Sequence, residues 1–467
     1  MKNILIILLL ICLKLQATTY YVSTTGSDEA AGTISEPWAT WEKAFTSTDV
    51  SPGDTVFFRG GVYQMTKNDG LGYTITRNGT EESKIYYCAY PADWASGNYP
   101  ILDCGNVDPP TDNSRAVFGS FNDVHFKGLH VRNVKMKDGS NFAEGWFNYA
   151  VTRVIWELCV TYNVHGQGFS PWNMHDVLYL NCDAYNCTDS LDTSTPGNSG
   201  SGFHITNSTD STTSSYYIGC RAWDCGDQGF FCLDAGIVVY NSCWAFRNGQ
   251  LEGGGHGFKL GWQPVKSMIR TQRTMNNCIA SWNRASGITT NDNNLATSSM
   301  NIYNNFIYKN WDFSDDIPGG FASAGIQIYN TNQTDAVELR REFKNNVSYG
   351  NFYEASVRNI VVGTNGLYTH NYNSWDTPPG VTVTDDDFVS LDYTQLLQSR
   401  KADGSLPDIT FGKLVEDSDL RAAGVDVGLP FEGDAPDLGW AEYEESEPEP
   451  EPEPEPTPFG KKILILK

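Results

Sequence analysis

Residues 180–187 read LNCDAYNC, and the pattern returns as IGCRAWDC at 218–225, NSCWAFRN at 241–248 and NNCIASWN at 276–283. It continues as NNFIYKN at 304–310 and NNVSYGN at 345–351. A first column can be drawn through Cys182, Cys220, Cys243, Cys278, Asn305 and Asn346, at spacings of 38, 23, 35, 27 and 41 residues. Five residues later a second column runs through Cys187, Cys225, Asn248, Asn283, Asn310 and Asn351. A short fixed strand with variable insertions describes a parallel β-solenoid, in which surplus residues leave each coil as loops. Stacked coils place equivalent residues about 4.8 Å apart, so each column becomes a ladder. Asn suits a turn column because its amide bonds both to the next Asn and to turn backbone. The cysteines alternate with apolar neighbours and read as a buried ladder of free thiols rather than a metal site. A disulfide between Cys88 and Cys104 is conceivable, but spacing cannot fix connectivity.

A third column combines glycine with an apolar residue: Gly168-Phe169, Gly202-Phe203, Gly229-Phe230, Gly257-Phe258, Gly287-Ile288 and Gly325-Ile326. By alternation, the residues that follow these pairs face outward: Ser170, His204, Phe231, Lys259, Thr289 and Gln327. Those that precede them are Gln167, Ser201, Gln228, His256, Ser286 and Ala324. The two lines should border one groove with Lys259 near its middle. Lys259 stands in GGGHGFKLGW at 253–262, with no acidic residue within six positions on either side. A lysine crowded by backbone and short of carboxylates is a candidate base, because burial lowers an ammonium pKa.

The flanks and composition bound the rest. Residues 1–17 read as a secretory signal: Lys2, an apolar run from Ile4 to Leu13, then Ala17, too short to span a bilayer. No other stretch is apolar enough for a membrane helix, so the expectation is an exported, monomeric protein. SEPWATWEKAF at 35–45 predicts an N-terminal capping helix, with Ser35 as its cap and Trp38, Trp41 and Phe45 on one face. The β-helix domain should occupy residues 18–440, followed by a Glu-Pro linker at 441–457 and a short tail at 458–467. The net charge of −24 argues against a nucleic-acid partner. The chain holds 44 Gly, 13 Trp, 24 Tyr and 23 Phe, which suits a turn-rich β protein.

Three of these segments resemble one family. CRAW at 220–223, CWAFRNG at 243–249 and HGFKLG at 256–261 are similar to the polysaccharide lyases of family nine, right-handed parallel β-helix enzymes. YYVSTTGSD at 20–28 with PGDTVFFRGG at 52–61 is shared more widely among exported β-helix proteins. ADGSLPDI at 402–409, AAGVDVGLP at 422–430 and APDLG at 435–439 resemble the family's C-terminal coil. The resemblance covers roughly residues 19–440. It implies β-elimination on a uronate-containing polysaccharide such as pectate or rhamnogalacturonan, with Lys259 as the Brønsted base.

The resemblance also implies calcium held by aspartates beside the lysine, and here this chain departs. Ser201, Gln228 and Phe231 stand where three acids are expected, and only Asp227 remains. Calcium takes six to eight oxygens, several from carboxylates, so this set is poor. Asp189, Asp192, Asp224 and Asp234 lie nearby, but the columns do not align them with those positions. In place of a metal, His204 and His256 are candidates to bond the uronate carboxylate or to move a proton. Phe231 would desolvate Lys259, and Gln228, Phe231, Arg284 and Asn291 are candidate substrate contacts. A second reading of the eroded cluster is a non-catalytic β-helix that binds glycans or acts as an adhesin. A hydrolase would need two carboxylates facing one cleft, and the columns offer only Asp227.

Overall fold

The computed structural model describes residues 17–109, 114–137, 143–192, 195–205, 212–233, 236–261, 271–291, 298–311, 324–330, 341–359 and 368–444. The signal segment before Ala17, most of the Glu-Pro linker, the C-terminal tail and Asp234 lie outside these residues.

The chain winds into three parallel sheets of twelve, ten and ten strands among the described residues. The first runs from Thr19–Val22 to Tyr368–His370. The second runs from Tyr73–Ile75 to Ala355–Asn359, and the third from Gly61–Gln64 to Val347–Tyr349. One coil shows the path: Ile237–Asn241 lies in the first sheet, Trp244–Phe246 in the third and Phe258–Lys259 in the second. The next coil restarts at Thr271–Asn276, in register with Ile237–Asn241.

The columns are ladders. Asn305 donates its Nδ2 to Asn346 Oδ1 at 2.8 Å, and Asn346 donates to Asn373 Oδ1 at 2.8 Å. In the second column Asn248, Asn283, Asn310 and Asn351 are linked by Nδ2–Oδ1 bonds of 2.9, 2.9 and 3.1 Å. The residue before each first-column member has a positive φ, at Asn181, Gly219, Ser242, Asn277, Asn304 and Asn345. Asn holds four of these six corners, since its short amide tolerates the left-handed region that most side chains avoid. The cysteines are buried free thiols, from Cys182 through Cys278. Cys88 and Cys104 are also free, so the conceivable disulfide does not form.

The core follows the same repeat. Phe169, Phe203, Phe230 and Phe258 stack with ring centroids 5.0, 4.8 and 4.8 Å apart, which is the coil spacing. Glycine precedes each of them for lack of room. A Cβ on Gly257 would lie 2.7 Å from the Gly287 carbonyl oxygen, and one on Gly229 would lie 2.9 Å from that of Gly257.

Both ends depart from expectation. The N-terminal helix is short, Trp41–Thr46, and its cap is Thr40, whose hydroxyl accepts from the Lys43 N–H; Ser35 is not the cap. Trp38 lies outside the helix, in a bridge to Val22. Trp41 and Phe45 still enter the core, 4.9 Å from Phe58 and 5.1 Å from Tyr87. The C-terminal region is not a coil. After Tyr368–His370 the described chain forms only turns, bridges and two short 3-10 segments. It lies along the third sheet, where Leu396, Phe411, Leu414, Leu420 and Leu438 bury against Trp244, Phe246, Ile279, Phe306 and Val347. Apolar side chains that would otherwise sit on an exposed sheet face are thereby covered. Asp183 anchors this arm, bonded to Arg221 at 2.8 Å and to Arg400 at 2.6 Å.

Candidate functional site

The second sheet carries the site. Its register aligns His204 with Phe231, Phe231 with Lys259, Lys259 with Thr289 and Thr289 with Gln327. Alternation turns these side chains away from the core, as the sequence implies. They are not open to solvent along the whole row: Thr289 and Gln327 are buried, and only Phe231 and Lys259 are partly exposed.

The Lys259 Nζ lies 4.2 Å from the centre of the Phe231 ring. No carboxylate among the described residues forms an ion pair with it. Burial pulls the Lys259 pKa below that of an ordinary lysine, and the charge of Asp227 opposes this from a distance. Asp227 is itself buried, and that desolvation pushes its carboxyl up to about 7 against the pull of Lys259. It accepts the Gly254 N–H at 2.5 Å. Arg284 donates to the carbonyls of Leu251 and Gly253, so it wraps the glycine turn that presents Lys259.

The two histidines differ. Burial pushes both down to about 3, helped in each case by the charge of Lys259. Both are therefore neutral at ordinary pH. His256 is committed, because its Nδ1 accepts the Ser286 N–H at 3.2 Å, which puts its proton on Nε2. His204 lies 4.6 Å from Phe231, and neither of its buried nitrogens has a hydrogen-bond partner among the described residues. Gln228 is buried, its Oε1 accepting from the Ser201 hydroxyl at 3.3 Å. Asn291 donates its Nδ2 to the Gly261 carbonyl at 2.9 Å and its N–H to Thr289 Oγ1 at 3.2 Å, locking the turn after Lys259. The structure thus gathers Lys259, Phe231, Asp227, Gln228, His204, His256 and Arg284 on adjoining coils. Of these, His204 is the residue whose side-chain nitrogens are buried with no hydrogen-bond partner among the described residues.

The columns do not align Asp189, yet it lies near enough to raise the Asp227 carboxyl by repulsion. Its Oδ2 accepts the Ser199 N–H at 2.8 Å, and its Oδ1 is buried without a hydrogen-bond partner among the described residues. A signal existed: Asp189 and Asp227 each fall two residues after a second-column cysteine, Cys187 and Cys225. Even with Asp189, the donor set is one pair of carboxylates, a hydroxyl and an amide already bonded to each other. No group of three or more His, Cys, Asp or Glu side chains suited to a metal occurs among the described residues. With so few carboxylates, these residues fit calcium poorly.

The Pel9A-like right-handed β-helix region matches residues 20–351, and a rhamnogalacturonan lyase-like C-terminal region matches 369–445. Pectate lyase L of Dickeya chrysanthemi is 28% identical over 436 residues, covering 90% of this chain and 89% of that protein. The crystal structure of pectate lyase Pel9A superposes with a TM-score of 0.70 at 26% identity, covering 91% of this chain and 96% of the other. A rhamnogalacturonan lyase superposes with a TM-score of 0.69 at 25% identity, covering 86% and 97%. The second of the two regions coincides with the arm along the third sheet, and the first holds every strand of the Lys259 row. The chain belongs to the Pel9A-like right-handed β-helix family.

Proposed function

We propose that this polysaccharide lyase cleaves an acidic, uronate-containing polysaccharide outside the cell by β-elimination, with Lys259 as the base. The observation that carries the reading is a half-buried lysine without an ion-pair partner among the described residues, its pKa lowered by desolvation, on the outward row of a family β-helix. A neutral ε-amine takes the proton from carbon 5 of the uronate. The electron pair of that C–H bond forms the carbon 4–carbon 5 double bond, the bond from carbon 4 to the glycosidic oxygen breaks, and the leaving oxygen is protonated. Burial serves this step because it keeps a larger fraction of the amine neutral near working pH.

Phe231 lies against the Lys259 amine and fixes its position, 4.2 Å from Nζ to the ring centre. His204 is the second candidate participant. Two unpartnered buried nitrogens are costly in the free protein, and a uronate carboxylate or the leaving oxygen would accept an N–H from one of them. His256, Arg284 and Asn291 enter as positioning residues that hold the turns on either side of Lys259. Gln228 and Asp227 form the wall where the family calcium would sit, and we assign them no metal. Pectate and rhamnogalacturonan are both candidate substrates.

The test is product analysis across polygalacturonate, rhamnogalacturonan and other uronate polymers, with and without a chelator. The expected result is an absorbing unsaturated uronate end from at least one polymer, undiminished by chelation. New reducing ends without unsaturation would point to hydrolysis and defeat the elimination reading. Loss of activity on chelation, restored by calcium, would defeat its metal-free part.

A further inference from the structure

Upstream of Lys259 the same sheet face changes character. The row continues from His204 to Ser170, Phe147 and Phe118, as the registers of their strands require. The Phe118 and Phe147 rings stack at 5.8 Å, and the Arg115 guanidinium lies 3.9 Å above Phe147. Trp172 faces outward two residues beyond Ser170. Its ring is 5.8 Å from Phe147 and 6.5 Å from Tyr149, and Tyr149 is 46% exposed. The Phe147 ring is buried beneath this cover, so Tyr149 and the partly exposed Trp172 present the surface.

Arg115 also lines a cleft with Lys67 and Lys135. Arg115 is held by the buried Glu144 at 2.8 Å, whereas among the described residues Lys67 pairs with the exposed Asp69 at 3.3 Å and Glu42 at 3.7 Å, and Lys135 with the exposed Asp108 at 3.2 Å. Such exposed pairs are weak and exchange readily for another anion. The three cations are thus gathered at one cleft, each with a carboxylate that a substrate anion would have to replace. The strand Gly166–Trp172 is three strands from Phe258–Lys259, about 14 Å along the axis, and Ala143–Tyr149 is four strands away, about 19 Å. Those spans exceed one sugar ring, so one polymer lying along the groove would reach both places.

We propose that Tyr149, Trp172 and Arg115 form a distal subsite for acidic sugars of the same polysaccharide whose reacting uronate lies at Lys259. The aromatic rings take the apolar face of a sugar, and the cations at and beside Arg115 take carboxylates. The proposal rests on the reading of Lys259 as the cleavage point. It gives the enzyme a grip on long chains that short oligomers do not use.

The experiment compares Tyr149→Ala and Trp172→Ala with the unsubstituted protein, on polygalacturonate and rhamnogalacturonan polymers and on their trisaccharides. The expected result is a KM for polymer raised by roughly three- to tenfold, the scale of one lost aromatic contact, and by more than for trisaccharide. Tyr149→Ala removes an exposed ring, so it keeps the test readable if Trp172→Ala folds poorly. Equal losses on both lengths, or no loss on either, would overturn the subsite. Polymer binding by calorimetry in a Lys259→Ala background separates the two claims. If the unsubstituted protein yields no unsaturated product, the lysine reading falls, while a selective loss of polymer affinity in the Tyr149 variant still upholds the subsite and unchanged affinity rejects it.

Discussion

At the scale of the residue, Lys259 is set by its coil neighbours. Phe231 lies across its amine and Asp227 supplies the nearby negative charge that restrains the fall in its pKa. Because the base form is the neutral amine, activity should rise with pH on a limb governed by Lys259, and that limb lies below the titration of an ordinary lysine. Above about pH 7 Asp227 is ionised and raises the lysine pKa. Asp227→Asn removes that charge, so the limb should move to lower pH; the measurement is the pH profile of kcat/KM. A limb that stays in place would mean that Asp227 does not act on the base. The position of Lys259 was legible from the Gly-Phe column alone. The engagement of Arg284 and His256 with local backbone was not, because neither carbonyl acceptors nor N–H donors leave a mark in side-chain patterning.

At the scale of the element, the coil turn is held by stacked amides. Asn283 donates to the Ala245 carbonyl and to Asn310 Oδ1, both at 2.9 Å, and accepts from Asn248. Asn283→Ala would remove the side-chain bonds to Asn248, Asn310 and the Ala245 carbonyl and leave the buried Asn248 N–H without its acceptor, for an expected cost of about 3 kcal/mol read from denaturant unfolding. The columns of Cys and Asn were readable because a solenoid repeats one environment at every coil. Their extension to Asn373 was hidden by the changed flanking residues of the last turn. The helix Trp41–Thr46 shows the converse. Apolar spacing suggests a longer helix from Ser35, but Trp38 is taken instead by strand-like pairing beside Val22, and Asp28 bonds the Ala39 and Thr40 N–H groups just ahead of the helix.

At the scale of the whole molecule, the solenoid and its C-terminal arm share a buried polar anchor. Asp183 lies on a third-sheet strand, Arg221 on the next, and Arg400 comes from the arm. The two guanidinium groups outweigh the burial of Asp183 and hold its carboxyl well below the usual carboxylate range. A depressed carboxyl contributes stability that is complete above its unfolded pKa, near about 4, and is lost as pH falls further toward the folded value. Asp183→Asn leaves two buried cations short of their partner, and the expected loss is roughly 3–5 kcal/mol at neutral pH. Thermal unfolding across pH checks both statements: the variant should be less stable at neutral pH, and the gap should narrow in strong acid. The arm's course was not legible in the sequence, since its turns carry no period and its contacts join residues far apart in the chain.

The central claim is that Lys259 removes the carbon-5 proton. Its most direct test is the initial rate of unsaturated-product formation by Lys259→Ala, on a polymer that the unsubstituted protein cleaves, with circular dichroism and unfolding used to establish the same fold. The predicted result is a loss of at least about 10²–10⁴-fold, the range for a general base, with polymer binding retained. A folded Lys259→Ala protein that cleaves at a rate near that of the parent would contradict the account.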